Sequence, residues 1–193
     1  MQGNLEEEVL LDAFEKAFQA IDLLCETELH QPCLVLLYST IDAAAWLSVS
    51  GEADVSRNAF TGWVDAFLLP GSSLECTALD LYGARCGILH SMSAFSALSR
   101  SGKVRTISYA WGSASLSELQ GVLRYKRRDD IVAVHINDLR AALRSGFQVF
   151  LDKLGSDAQL RSGVLARARQ HFAMVPVEPR KTLIERTRKN DAE

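Results

Sequence analysis

YGARCGILHS, residues 82–91, sets Arg85 and His90 among otherwise small and apolar residues near the middle of a 193-residue chain. Leu74, Leu79, Leu81, Tyr82, Ile88 and Leu89 recur at three- and four-residue intervals around it, the spacing of a helix. Ser72 or Ser73 is the expected cap, and the helix should end near Ser91. Arg85 and His90 then occupy its last two turns. Five helical residues turn through roughly 500°, leaving the two side chains about 140° apart, so they share no single stripe. They can still converge on one ligand where a helix end opens into a cleft, because an arginine side chain is long.

Three helices are expected before this one. From Leu5 to about Leu29, the apolar positions Leu5, Val9, Leu10, Phe14, Phe18, Ile21 and Leu24 form an amphipathic stripe, with Asn4 as cap and Glu6 to Glu8 in the first turn. Pro32 suits the first turn of a second helix, CLVLLYSTIDAAAWLSV, which is apolar nearly all round and should be buried by its neighbours. Asp42 within it is informative, because a buried carboxylate needs a partner or a cleft. Gly51 should close that helix, and Ser56 should cap a third running to Leu69 before the turn PGSS at 70–73.

The character changes after His90. SMSAFSALSRSGK is small and polar, VRTISYAW alternates like a half-buried strand, and IVAVHI resembles a second. A short helix and the basic turn RYKRRDD lie between them. The two strands are expected to pair as an antiparallel ribbon at about 104–136. Asn137 or Asp138 should cap a helix from Leu139 to Leu154, and Ser156 or Asp157 another to about Phe172. The expected fold is mainly α, an antiparallel bundle of four core helices with further C-terminal helices and a small β-ribbon. It makes a single domain over 1–175, followed by a charged, flexible tail at 176–193.

Composition narrows the function. With 48% hydrophobic and 23% charged residues the chain has apolar material for one core. A net charge of -3 argues against coating nucleic acid by bulk charge, while leaving room for a local basic site. The acidic N-terminus lacks a signal-peptide pattern, and no run of about 18 apolar residues suggests a membrane span. A cytoplasmic protein with no membrane partner is expected. Cys25, Cys33, Cys76 and Cys86 form no C-x-x-C pair and are expected to be reduced, buried thiols. Cys86 and His90, or His30 and Cys33, have metal-ligand spacing, but buried thiols near unrelated histidines explain them more simply, so no metal and no cofactor are expected.

Histidine exchanges protons near neutral pH and guanidinium grips phosphate oxygens, a combination suited to phosphodiester cleavage. RNA supplies its own nucleophile, the 2′-hydroxyl, so such cleavage needs no metal. An arginine, four to six residues and then a histidine near the end of an inner helix resembles the HEPN superfamily, and RCGILH, Arg85 to His90, fits its shortest spacing. The resemblance covers about the first half of the chain. It implies a homodimer along the motif helix and a metal-independent endoribonuclease, or an RNA-binding relative of one. In that reading His90 transfers the proton, Arg85 holds the scissile phosphate and Asp42 orients; a purely structural reading instead pairs Arg85 with Asp80, with Asp42 or with helix C-terminal carbonyls and leaves His90 stabilised by the helix dipole with no catalytic purpose. Family members often belong to toxin–antitoxin or phage-defence systems, which would add an antitoxin-like protein partner. Many active members carry Asn, Asp or His after the arginine. This chain carries Cys86, which favours the alternative of a non-catalytic bundle binding a protein partner or a nucleotide.

Two basic clusters supply candidate RNA contacts. Arg124, Lys126 and Arg127 lie in RYKRRDD beside Tyr125, whose ring can stack on a base. Arg100, Lys103 and Arg105 follow His90 in SRSGKVR. A solvated turn partly neutralised by Asp129 and Asp130 is the commoner origin of such a cluster.

Overall fold

Two long helices, α1 (Gln2–Glu26) and α2 (His30–Leu47), begin a computed structural model that describes residues 2–49 and 55–172. A three-residue turn folds them into a hairpin. α1 starts two residues before the expected cap, so Asn4 lies inside its first turn. Its inward stripe buries Leu10, Phe14 and Ile21, and Phe14 stacks on Phe147 at 4.1 Å between ring centres. The expected central position of α2 is borne out. It buries Leu37, Tyr38, Ile41, Ala44 and Ala45, and it touches α1 and the four later helices introduced below.

α3 (Arg57–Trp63) begins where Ser56 Oγ accepts from Ala59 N at 3.1 Å, as expected, and runs on as one π-helical segment through Val64–Leu68. α4 (Ala78–Ser91) starts later than expected. Ser72 is spent on the preceding turn, donating to Leu69 O at 2.8 Å. Thr77 caps instead, through a reciprocal pair of bonds with Asp80. The small, polar stretch after His90 holds a one-turn helix, α5 (Ala97–Arg100), closed by a Ser96/Ser99 capping box.

The two strands, β1 (Thr106–Ala110) and β2 (Ile131–His135), pair in parallel, with Thr106 opposite Ile131 and Ala110 opposite His135. This corrects the antiparallel ribbon. A ten-residue helix, α6 (Leu116–Tyr125), lies between them and carries the chain back to the starting end of the sheet. A hairpin would need only a short turn, whereas a helical crossover is what parallel pairing requires. β1 lies against α4, and β2 against α6.

α7 (Ile136–Ser156) follows β2 without a loop. His135 caps it, its Nδ1 accepting from Asn137 N at 3.1 Å, so Asn137 and Asp138 fall inside the first turn rather than ahead of it. Gly146 brings α7 down onto the π-helical segment; a Cβ there would lie 2.7 Å from Phe67 O. α8 (Ala158–Phe172) opens on Asp157, whose carboxylate accepts from Leu160 N at 3.0 Å, as expected, and lies along α1. Gly51 and the stretch 176–193 lie outside the described residues. Among the described residues no helix is long and apolar enough to cross a membrane.

Candidate functional site

The arginine–histidine motif lies on α4, and the helix owes its surroundings to two glycines in the same ten residues. A Cβ at Gly87 would lie 2.5 Å from Ser93 O, and one at Gly83 would lie 2.6 Å from Val104 Cγ2. The returning segment 93–104 therefore lies directly against that side of the helix. Met92 makes the reversal in the left-handed region, at φ 48°, and Ser93 N donates to Gly87 O at 3.2 Å. Asp80, Leu81, Ala84 and Ile88 fill the buried side. The less buried side carries a stripe of Leu79, Tyr82, Cys86 and Leu89; Leu79 is exposed, while Tyr82 lies edge-on to Phe60 of α3 at 5.6 Å and, like Leu89, packs in part against the core. By helical geometry Arg85 flanks this stripe on the side of α2, and His90 flanks it on the side of the returning segment.

Asp42 reaches Arg85 from α2. Its Oδ2 accepts from Arg85 Nε at 3.0 Å and also from Nη2, while Asp42 Oδ1 is buried with no hydrogen-bond partner. The pair is largely shielded, the side chains being 17% and 18% exposed. Burial works against the charge on Arg85, but the Asp42 carboxylate outweighs it and raises the guanidinium above its ordinary value. Two guanidinium groups approach the ring of Tyr82, that of Arg57 at 5.5 Å from its centre and that of Arg85 at 5.9 Å. Burial and the neighbouring Cys86 thiol push the Tyr82 phenol up.

His90 is exposed and has no hydrogen-bond or ion-pair partner among the described residues. It stands about 7.5 Å along the helix axis from Arg85. Gln31 of α2 donates to Met92 O at 2.5 Å and so ties down the helix end that carries it. Asp42 and Arg85 are thus in contact, whereas His90 stands apart from them on the side of α4 toward the returning segment.

The basic candidates divide differently. Arg105 is committed to Asp80: its backbone N–H donates to Oδ1 at 2.8 Å, and its Nη2 and Nε donate to Oδ2 at 2.7 and 3.1 Å. Burial pushes the Asp80 carboxyl up, but the Thr77 and Arg105 donors override it and hold the group below its usual range. Arg105 and Arg124 meet in a cavity of about 360 Å³ with Arg128, Glu75 and Gln120, beside the start of β2. Lys126 and Arg127 are exposed in the turn after α6, and Arg100 and Lys103 are exposed around the end of α5. The Arg105–Arg124 cluster therefore lies by the first turn of α4, about 15 Å along the helix from His90.

The metal-like spacings do not assemble. His30 stacks on Trp111 at 4.0 Å, Cys33 lies against Cys25, and among the described residues no three His, Cys, Asp or Glu side chains gather in a metal-holding group. A comparison of the chain with known protein families, curated proteins and solved structures finds no match in any of the three.

Sequence reasoning missed three features. The Gly83/Gly87 pair carries a four-residue spacing that was legible as a close helix contact. The Asp80–Arg105 pair had no local signal, since its partners are 25 residues apart. Cys25 and Cys33 meet because of the α1–α2 turn, which their eight-residue separation alone does not reveal.

Proposed function

We propose that the chain is a HEPN-like, metal-independent RNA-binding and RNA-cleaving protein that acts as a two-fold dimer along α4. The observation that carries the reading is the outward face of α4, where a carboxylate-held arginine and an unpartnered histidine flank one stripe. Asp42 Oδ2 fixes the orientation of the guanidinium, whose charge faces the non-bridging oxygens of a phosphodiester. The RNA 2′-oxygen bonds to phosphorus, the bond from phosphorus to the 5′-oxygen breaks, and the proton of the 2′-hydroxyl ends on the departing 5′-oxygen. One histidine at a time accepts or donates that proton, so two copies of His90 across the dimer supply both a base and an acid. Leu79, Tyr82, Cys86 and Leu89 follow a three-four-three spacing, the seam along which a second helix packs. Arg124, Lys126 and Arg127, all exposed, are the more distant backbone contact, spanned by a few further nucleotides.

The alternative, a non-catalytic bundle that docks a partner on the same face, is favoured by a single feature. Cys86 follows Arg85 where a polar residue would assist chemistry, and its thiol lies beside Tyr82 and Arg85.

The reading is tested by incubating the protein, in EDTA, with an RNA of defined sequence and with its DNA copy. Cleavage of the RNA alone, leaving 2′,3′-cyclic phosphate ends, supports the enzyme. Equal cleavage of both strands removes the 2′-hydroxyl mechanism, and binding of RNA without cleavage selects the RNA-binding version.

A further inference from the structure

The turn between α1 and α2 brings Cys25, near the end of α1, against Cys33, near the start of α2, with their Sγ atoms 2.8 Å apart. The two sulfurs are not equivalent. Cys33 is fully buried, whereas Cys25 is half-buried and lines an open cavity of about 430 Å³ together with Glu28, His30, Trp111, Asn137 and Arg140. A small solute that enters this cavity meets Cys25, and Cys33 is reached only through Cys25. Burial first, and then the adjacent Cys25, push the Cys33 thiol up to about 12, so it is protonated at neutral pH. Bringing the sulfurs from contact to a covalent S–S length of about 2.05 Å takes less than about 1 Å of travel.

We propose that Cys25 and Cys33 form a peroxide-responsive dithiol, in which Cys25 is the attacking sulfur and Cys33 the resolving one. The Cys25 sulfur gives up its proton and attacks one oxygen of hydrogen peroxide; an S–O bond forms, the O–O bond breaks, and the departing hydroxide takes up that proton as water. Cys25 is then a sulfenic acid, oxidised by two electrons. Cys33 sulfur attacks the Cys25 sulfur, the S–O bond breaks, and the oxygen leaves as water with the Cys33 proton. In sum two thiols and one peroxide give one disulfide and two waters. The bridge joins the two helices of the first hairpin at their shared end. Gln31, inside the closed loop, donates to Met92 O, so the bridged turn also fixes the end of α4. Any effect on RNA chemistry rests on the function proposed above, whereas the sulfur chemistry stands without it.

The test uses the full chain. A slight excess of hydrogen peroxide is removed, and the remaining thiols are then alkylated in denaturant before digestion with trypsin. The peptide Ala17–Arg57 contains no internal Lys or Arg and holds both cysteines and no other. The expected product is that peptide unalkylated and about 2 Da lighter, as loss of two hydrogens in forming the bond requires. Further cleavage after Glu28 should leave its halves joined until a reductant is added. Cys33→Ser should trap Cys25 as a sulfenic acid that reacts with a 1,3-dione, and Cys25→Ser should leave Cys33 alkylatable. Closing a loop of about nine residues should raise Tm by about 5–10 °C, an upper figure from the chain-entropy model. A peptide that keeps both alkyl groups, or one in which Cys25 runs on to sulfinic acid with Cys33 still alkylated, overturns the proposal. Neither readout involves RNA.

Discussion

Asp80→Asn is the sharpest test of how the motif helix is anchored. The carboxylate is 5% exposed and accepts four hydrogen bonds, three of them on Oδ2 from Thr77 N and from Nε and Nη2 of Arg105. Asparagine keeps one oxygen and turns the other acceptor into a donor. In either amide orientation at least one N–H then faces another N–H, and the ion pair is lost. Breaking a buried pair typically costs about 3–5 kcal/mol. Arg105 is 37% exposed and recovers part of its hydration, so about 2–4 kcal/mol is the expected loss. For a chain of this size that lowers Tm by roughly 5–15 °C, read by circular dichroism at neutral pH. The acid limb gives a second reading. The folded carboxyl is held below its usual range, so its contribution is present above the unfolded pKa of about 3.9 and is lost as pH falls through the folded value. The wild type should lose stability over that window more steeply than the variant. A Tm within about 2 °C of wild type, with parallel acid limbs, refutes the reasoning.

Gly87→Ala should destabilise the chain by about 1–2 kcal/mol, because the new methyl meets the Ser93 carbonyl and the strain exceeds the roughly 1 kcal/mol gained in helix propensity. Gly121→Ala in α6, where a Cβ meets nothing within 4 Å, should instead stabilise by about 0.5–1 kcal/mol in the same melt. The hydroxyls of Tyr38 and Tyr109 share a hydrogen bond of 2.6 Å, and burial pushes both phenols up. Their contribution is complete below the unfolded pKa of about 10 and is lost as pH rises. Absorbance near 295 nm should therefore show two of the four tyrosines ionising only as the chain unfolds in base; full ionisation of the folded chain would contradict their burial.

The apolar periodicities located α1 to α4 and the two C-terminal helices, and Ser56 and Asp157 were legible as caps, because these signals are local. Helix starts failed where a stronger reciprocal bond lay nearby, as Thr77 with Asp80 prevailed over Ser72 and Ser73. Strand direction was misjudged although the intervening helix was visible, since a helix between two strands already implies the crossover of a parallel pair. Asp42 was legible as a carboxylate in need of a partner, and the fold supplies Arg85, 43 residues away. The commitment of Arg105 to Asp80 was not legible, because it depends on β1 docking beside the start of α4.

Wild-type protein, Arg85→Ala and His90→Ala, each incubated with mixed RNA in EDTA, decide whether Arg85 and His90 of α4 cleave RNA. Fragments are expected from the wild type alone and both variants should lose at least about 100-fold in rate, with His90→Ala keeping the wild-type melting profile and Arg85→Ala melting lower because Asp42 is left buried without its partner. RNA left intact by all three at high protein concentration, or cut equally by all three, contradicts that role.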